Sequence, residues 1–254
     1  MLGFVGAGEL TAAIVTGLDG SVPVVLSPRS REISAGLAAR YPDVRVGSSN
    51  QEVLDQADTV VLAVRPPVLR EVVEELTFRP EHVVVSAVAG VRVDQLREWV
   101  APASRVVRSI PLPQAAQRQS LTVMYPEDAV ARELFERVGG VVVPRDEPSL
   151  EAFSAATSTF AAHLDYLATI AGWMAAQGVE PEVASAYVTH VFAQVGKSLA
   201  DGGSLAELTS RHMTPGGINE QLLTELRRNG MPDLVRHGLD GVLARLRGAA
   251  GSGD

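Results

Sequence analysis

The sequence predicts an α/β fold in which a doubly wound parallel sheet is followed by an all-helical domain. Three observations predict it. Short β-branched runs alternate with longer Ala/Leu/Glu/Arg-rich stretches as far as about residue 146. The strand signal then stops at Pro144-Arg145-Asp146-Glu147-Pro148. A glycine turn joins the first strand to the first helix. Strand–helix alternation at this spacing gives βαβ units, with parallel strands and right-handed crossovers.

Taken in order, the β-branched runs place strands at Leu2–Val5, Val22–Ser27, Arg45–Gly47, Thr59–Val64, Val83–Val88, Arg105–Arg108, Leu121–Met124 and Val141–Val143. Helical period places helices at Glu9–Leu18, Ser30–Arg40, Asn50–Gln56, Pro67–Leu76, Val93–Val100 and Ala129–Arg137. The last strands lie close together, which suits antiparallel or edge positions. From Leu150 to Arg247 helical period dominates, broken at Gly178–Pro181, Asp201-Gly202-Gly203, Thr214–Gly217 and Gly230-Met231-Pro232. Long helices near 149–177 and 182–200 carry apolar side chains on several faces. That predicts packing against a second subunit and a homodimer formed through the helical domain. The expected domains are 1–146 and 147–254, with the tail 248–254 disordered.

The chain has 254 residues, 46% hydrophobic and 20% charged, a soluble globular balance with enough length for a sizeable core. It contains no cysteine, which excludes disulfides, thiolate zinc sites, iron–sulfur clusters and a cysteine nucleophile. Acidic residues outnumber basic ones by 30 to 22 without a basic stripe, so neither nucleic acid nor anionic membrane is an expected partner. Lys197 is the sole lysine, leaving amine chemistry one candidate. The apolar runs fall short of the ~20 residues of a spanning helix. Met1 leads straight into the first strand, so no signal peptide is expected and the cytoplasm is the expected compartment. No metal site is expected: His82 and His237 lack a second ligand at a defensible spacing.

Leu2-Gly3-Phe4-Val5-Gly6-Ala7-Gly8-Glu9-Leu10-Thr11 runs an apolar strand through Gly-x-Gly into a helix. In this pattern the first glycine makes the tight turn. The second removes the Cβ that would block a pyrophosphate resting on helix N–H groups. At the head of a βαβ array it marks a Rossmann-type dinucleotide site, with Gly6, Ala7, Gly8, Glu9 and Leu10 as cofactor contacts. Thr11 takes the third fingerprint position, usually Gly or Ala, and is expected to loosen helix–strand packing. The second strand ends in Ser27-Pro28-Arg29-Ser30-Arg31, where readers of NAD place an acid. Ser27, Arg29 and Ser30 suit a 2′-phosphate instead, so NADP(H) is expected over NAD(H). Ala63, Val64, Arg65 and Pro66 follow the fourth strand, and Ala89 and Gly90 the fifth. These are carboxyl ends of strands, where open sheets bind ligands. Asn50, opening the helix after the third strand, joins them as a cofactor candidate.

Thr214-Pro215-Gly216-Gly217 reads as the start of a helix whose N–H groups suit a substrate carboxylate. The alternative is a plain N-cap, Thr followed by Pro at the first helical position. His163, Tyr166, His190 and His212 are candidate proton donors, and His212 stands nearest that loop in sequence.

Together, Ala63-Val64-Arg65-Pro66, Ala89-Gly90-Val91, Arg108-Ser109-Ile110-Pro111 and Thr214-Pro215-Gly216-Gly217-Ile218-Asn219 resemble, in order and spacing, the motifs of pyrroline-5-carboxylate reductases. The resemblance spans nearly the whole chain. It implies NADPH-dependent reduction of a cyclic imine and a dimer, or an assembly of dimers, built through the helical domain. It implies proline formation from pyrroline-5-carboxylate, or reduction of a related imine. It also implies that Pro215, Gly216, Gly217 and Ile218 contact substrate, with Thr214 and Asn219 catalytic.

The chain departs from the family at three places. Leu112 stands where the family's Met-Pro-Asn-Thr-Pro stretch has Asn. Thr157-Ser158-Thr159-Phe160 replaces its Ser-Gly-Ser-Gly-Pro-Ala-Tyr. Ile218-Asn219 replaces a Thr-Thr pair, the second of which donates toward the imine. Two other readings share the layout. One is a β-hydroxyacid-dehydrogenase-like oxidoreductase using Lys197, whose flanks lack that class's glycine pattern and following asparagine. The other is a non-catalytic NADP-binding sensor or scaffold, motivated by the departures.

Overall fold

The computed structural model describes residues 1–199 and 202–249. Its backbone divides into two compact units, Met1–Ser154 with the C-terminal stretch from Leu243, and Ala155–Val242.

The first unit is built on an eight-stranded sheet of β1 (Leu2–Val5), β2 (Val24–Leu26), β3 (Val44–Val46), β4 (Thr59–Leu62), β5 (Val83–Ser86), β6 (Arg105–Ile110), β7 (Ser120–Tyr125) and β8 (Gly139–Val142). The order is β3-β2-β1-β4-β5-β6-β7-β8. β1 to β6 pair in parallel, β7 runs antiparallel to β6, and β8 lies parallel to β7 at the edge. The connecting helices are α1 (Glu9–Leu18), α2 (Arg31–Arg40), α3 (Asn50–Gln56), α4 (Leu69–Glu74), α5 (Val93–Trp99) and α6 (Ala129–Glu136). α4 is shorter than the expected Pro67–Leu76 helix, because Pro66–Val68 forms a 3-10 turn ahead of it.

The strands alternate between two cores. Phe4, Val61, Val85 and Val107 join α1, α2 and α6 on one face. Val5, Val60, Val84 and Val106 join α3, α4 and α5 on the other. Covering both faces explains why these strands read as unbroken β-branched runs rather than as alternating ones. Each such fully buried Val or Phe contributes about 1.5–3 kcal/mol. At Gly17 of α1, an added Cβ would stand 2.0 Å from the Ala115 carbonyl, so α1 and the 3-10 turn Pro113–Gln117 meet backbone to backbone. Arg118 Nε donates to the Gly17 carbonyl at 2.8 Å across the same seam.

The chain leaves the sheet through α7 (Glu147–Thr157). The helices after it are α8 (Thr159–Ala176), α9 (Pro181–Ser198), α10 (Leu205–His212), α11 (Ile218–Arg228) and α12 (Met231–Ala249). The single helix expected over 149–177 is therefore two. The Ser158 and Thr159 hydroxyls donate back to the Ala155 and Ala156 carbonyls, at 2.7 and 2.8 Å, and the hydroxyl run Thr157-Ser158-Thr159 is weakly helical. The expected disorder from residue 248 does not hold for Gly248 and Ala249, which complete α12; residues 250–254 lie outside the described residues. Among the described residues no helix is long and apolar enough to cross a membrane.

In the second unit, α8 buries none of its residues and α9 buries only Ala184 and Val188. Trp173 is 64% exposed, and Leu164, Val183 and Tyr187 are similarly bare. Large apolar side chains left this bare on two packed helices are the kind that an interaction face carries.

Candidate active site

The sheet order reverses between β1 and β4, so their carboxyl ends open a crevice where α/β sheets hold ligands. The loop from β1 into α1 lies there. Gly6 has φ +102°, and a Cβ on it would come within 2.4 Å of the Ala63 carbonyl. Only glycine lets β1 and β4 close this tightly. A Cβ on Gly8 would meet nothing within 4 Å. Gly8 is the N-cap of α1 and brings no side-chain acceptor. The Gly8, Glu9 and Leu10 amides have no protein acceptor among the described residues, while the Ala12 N–H bonds back to the Gly8 carbonyl at 2.9 Å. The result is a cradle of free N–H groups at the positive end of a helix dipole, which fits a pyrophosphate.

Thr11 has a part that its fingerprint position did not suggest. It is fully buried, and its Oγ1 donates to the Gly6 carbonyl at 2.7 Å. The hydroxyl therefore fastens the turn. Ser27 is also buried, and its Oγ accepts the Gly6 N–H at 3.0 Å. Both polar groups of Gly6 are thus held by side chains that sequence reasoning had assigned elsewhere.

Arg29 is exposed and Ser30 half-buried at the N-terminus of α2, where Ser30 is an N-cap whose side chain bonds no amide. The guanidinium groups of Arg29, Arg31 and Arg65 have no hydrogen bond or ion pair among the described residues, so three arginines around the crevice are free for an anion. Asn50 stands at the first position of α3, after Ser49, which caps Glu52 N. Glu52 accepts the Ser48 N–H and hydroxyl at 2.7 and 2.5 Å, which hold its carboxyl below the usual carboxylate range. Ala63 and Val64 are half-buried beyond β4, Pro66 is exposed, and Gly90 is buried with φ +78° beside exposed Ala89. Next to the cradle, α1 and the segment from Pro111 to Ala116 flank an open groove of about 620 Å³, lined by Glu9, Leu10, Ala13, Pro111 and Pro113 among others.

Sequence reasoning missed a buried charge cluster. Arg108 is 2% exposed on β6, and its Nη1 lies 2.8 Å from Glu147 Oε1 and 2.5 Å from Glu151 Oε1. Glu147 Oε1 also accepts the Val93 N–H at the start of α5, at 2.8 Å. The signal was available: Glu147 and Glu151 are four apart on α7, so they share one helical face.

In the second unit, Thr214-Pro215-Gly216-Gly217 is not the first turn of a helix. The Gly217 N–H donates to the Thr214 carbonyl at 2.8 Å, and Gly216 has φ +73°. Pro at the second place and a left-handed Gly at the third is the type II turn pattern. α11 begins only at Ile218, with Gly217 as its N-cap, so neither the helix start nor the Thr N-cap expected at Thr214 occurs. The Asn219 amide donates to the His212 carbonyl at 3.1 Å, and the Gly216 N–H donates to Glu220 Oε2 at 2.7 Å. These bonds gather Thr214, Pro215, Gly216, Gly217, Ile218 and Asn219 into one surface loop beside His212. His163 and Tyr166 instead stack edge-on against Phe192, and His190 and Lys197 stand exposed on α9.

Residues 1–90 match the family described as NADP oxidoreductase, coenzyme F420-dependent, and residues 147–248 match that described as pyrroline-5-carboxylate reductase dimerisation. A pyrroline-5-carboxylate reductase of Pseudomonas aeruginosa is 28% identical over 96% of this chain and 94% of its own length. A 1-pyrroline-5-carboxylate reductase from Streptococcus pyogenes superposes with a TM-score of 0.84 at 24% identity, covering 97% of this chain and 98% of that one. A Plasmodium falciparum pyrroline carboxylate reductase with NADP bound gives 0.81 at 16% identity, over 98% and 97%. At these identities the two structural matches establish the fold.

Proposed function

We propose that this chain, which belongs to the pyrroline-5-carboxylate reductase family, reduces the carbon–nitrogen double bond of a small cyclic imine, pyrroline-5-carboxylate above all, giving proline. The observation that carries the reading is the glycine cradle at the start of α1, with free amides and open space at Gly8. A nicotinamide dinucleotide there supplies the hydride. The protein's share is position and charge. Gly6, Ala7, Gly8, Glu9 and Leu10 would hold the pyrophosphate, and Ala63 to Pro66 with Ala89 and Gly90 would border the nicotinamide half. Arg29 and Ser30, with Arg31 beside them, favour NADP(H) over NAD(H). Ser27 supports the loop rather than the phosphate, since its Oγ accepts from Gly6.

On the substrate side, the amides of Ile218, Asn219 and Glu220 precede the first intrahelical bond of α11, made by the Gln221 N–H to the Gly217 carbonyl. They suit a carboxylate. Asn219 keeps its carbonyl oxygen and one N–H for substrate or water while clasping His212. We read residues 1–146 as the dinucleotide domain and 147–254 as the substrate and dimerisation domain. The bare apolar faces of α8 and α9 support a dimer through the latter. Purified protein incubated with NADPH and pyrroline-5-carboxylate should consume NADPH and yield proline by mass spectrometry. Cofactor binding with no turnover of any cyclic imine would overturn the assignment.

A further inference from the structure

We infer that Glu220 is a positioning residue for the substrate carboxylate, acting through the loop ahead of α11. The inference rests on the reading of that loop as the seat of a ring imine's carboxylate, and it deepens it. Glu220 is the third residue of α11, whose N-cap Gly217 has no side chain to cap with. A glutamate at that position ordinarily reaches back to the N-cap N–H. Glu207 does so on α10, accepting the Ser204 N–H at 2.7 Å, while the Ser204 hydroxyl takes the Glu207 N–H. On α11 the N-cap N–H is already committed, because Gly217 closes the turn on the Thr214 carbonyl. The Glu220 carboxylate reaches one residue further and accepts the Gly216 N–H at 2.7 Å.

Two things follow. The amides of Ile218, Asn219 and Glu220 take no side-chain acceptor among the described residues, so they stay open to a ligand. Gly216 is meanwhile tethered at φ +73°, the left-handed conformation that the turn needs. Packing does not hold it there: Thr214, Pro215 and Gly216 are exposed, and a Cβ on Gly216 would meet nothing within 4 Å. Glycine also loses more freedom on ordering than any other residue. The bond from Glu220 therefore orders the loop at its loosest point, while Asn219 clasps the His212 carbonyl on the other side. A loop ordered in advance spares the ligand that cost, so the tether is felt as affinity for the carboxylate. The tether needs an acceptor atom and not a charge, since a second carboxylate beside the seat repels an incoming one.

Glu220→Ala and Glu220→Gln separate these contributions. The binding probe is tetrahydrofuran-2-carboxylate, a five-membered ring that carries the carboxylate and has no bond to reduce. By calorimetry on NADP⁺-saturated protein, the alanine variant should bind it roughly tenfold more weakly than wild type, and the glutamine variant at least as tightly as wild type. In turnover, alanine should raise the KM for pyrroline-5-carboxylate by a similar factor with kcat little changed, the mark of a contact equal in ground and transition states. The KM for NADPH, and kcat/KM for 1-pyrroline, the same ring without the carboxylate, should stay within about twofold. The Glu220 assignment is overturned by an alanine variant that binds the ring carboxylate like wild type, by a glutamine variant as weak as alanine, or by equal loss with both imines. It is overturned too if wild type does not bind the ring carboxylate. A wild type that binds it and reduces no cyclic imine would instead overturn the reading beneath it.

Discussion

The Thr11 hydroxyl donates to the Gly6 carbonyl at 2.7 Å, tying the third fingerprint position back to the first. With the Gly6 N–H given to Ser27, the peptide groups of the glycine turn are locked before any ligand arrives. Thr11→Ala should therefore cost about 1–2 kcal/mol in urea unfolding, and Thr11→Ser should recover most of it. NADPH affinity should fall in step. An alanine variant as stable as wild type would show that the bond does not hold the turn.

The Arg108 cluster gives a larger expected effect. Removing one partner of a buried ion pair strands the other charge, so Arg108→Met should cost about 3–5 kcal/mol. Adding Glu151→Leu removes one stranded carboxylate and should return part of that loss. Thermal unfolding of the two variants checks the order, and a double variant less stable than the single would contradict it.

Cofactor choice isolates the arginines after β2. Arg29→Ala should raise the KM for NADPH by roughly tenfold or more, the worth of a charged hydrogen bond, while NADH kinetics stay nearly unchanged. Equal loss with both cofactors would remove the 2′-phosphate from this loop.

His82 gives the stability a pH dependence. Its ring is fully buried, accepts the Arg79 N–H at Nδ1 and lies 3.1 Å from the Leu54 carbonyl at Nε2. Burial first, and the neighbouring Arg79 charge second, push its pKa below the ordinary histidine value, against the opposing pull of the Leu54 and Ala57 carbonyls and, last, of Asp58. The neutral ring is the folded form. Its contribution is complete above about pH 6.5, the unfolded value, and is lost as pH falls through the lower folded value. Urea unfolding between about pH 7 and pH 5 should show stability falling, with a shallower slope in His82→Gln.

The sheet was legible because β1, β4 and β5 are buried on both faces, which forces continuous runs such as Val83-Val84-Val85. The glycine turn was legible because backbone approach demands glycine at Gly6 and the chain leaves open space at Gly8. What a side chain does with its hydrogen bonds was not. Thr11 and Ser27 read as a weak fingerprint and a phosphate ligand, but their partner is the peptide of Gly6, a tertiary fact. The break at Ser158 depended on hydroxyls bonding back to their own helix. The turn at Thr214–Gly217 depended on Gly216 adopting a left-handed conformation that proline–glycine pairs permit but do not enforce.

The seam at Gly17 and Ala115 sets a width. It joins the two walls of the groove beside the cradle backbone to backbone, with the Arg118 side chain hydrogen-bonded across it. The spacing is therefore a property of the main chain and not of the side chains that line the groove, and a methyl group at position 17 would have to part the walls.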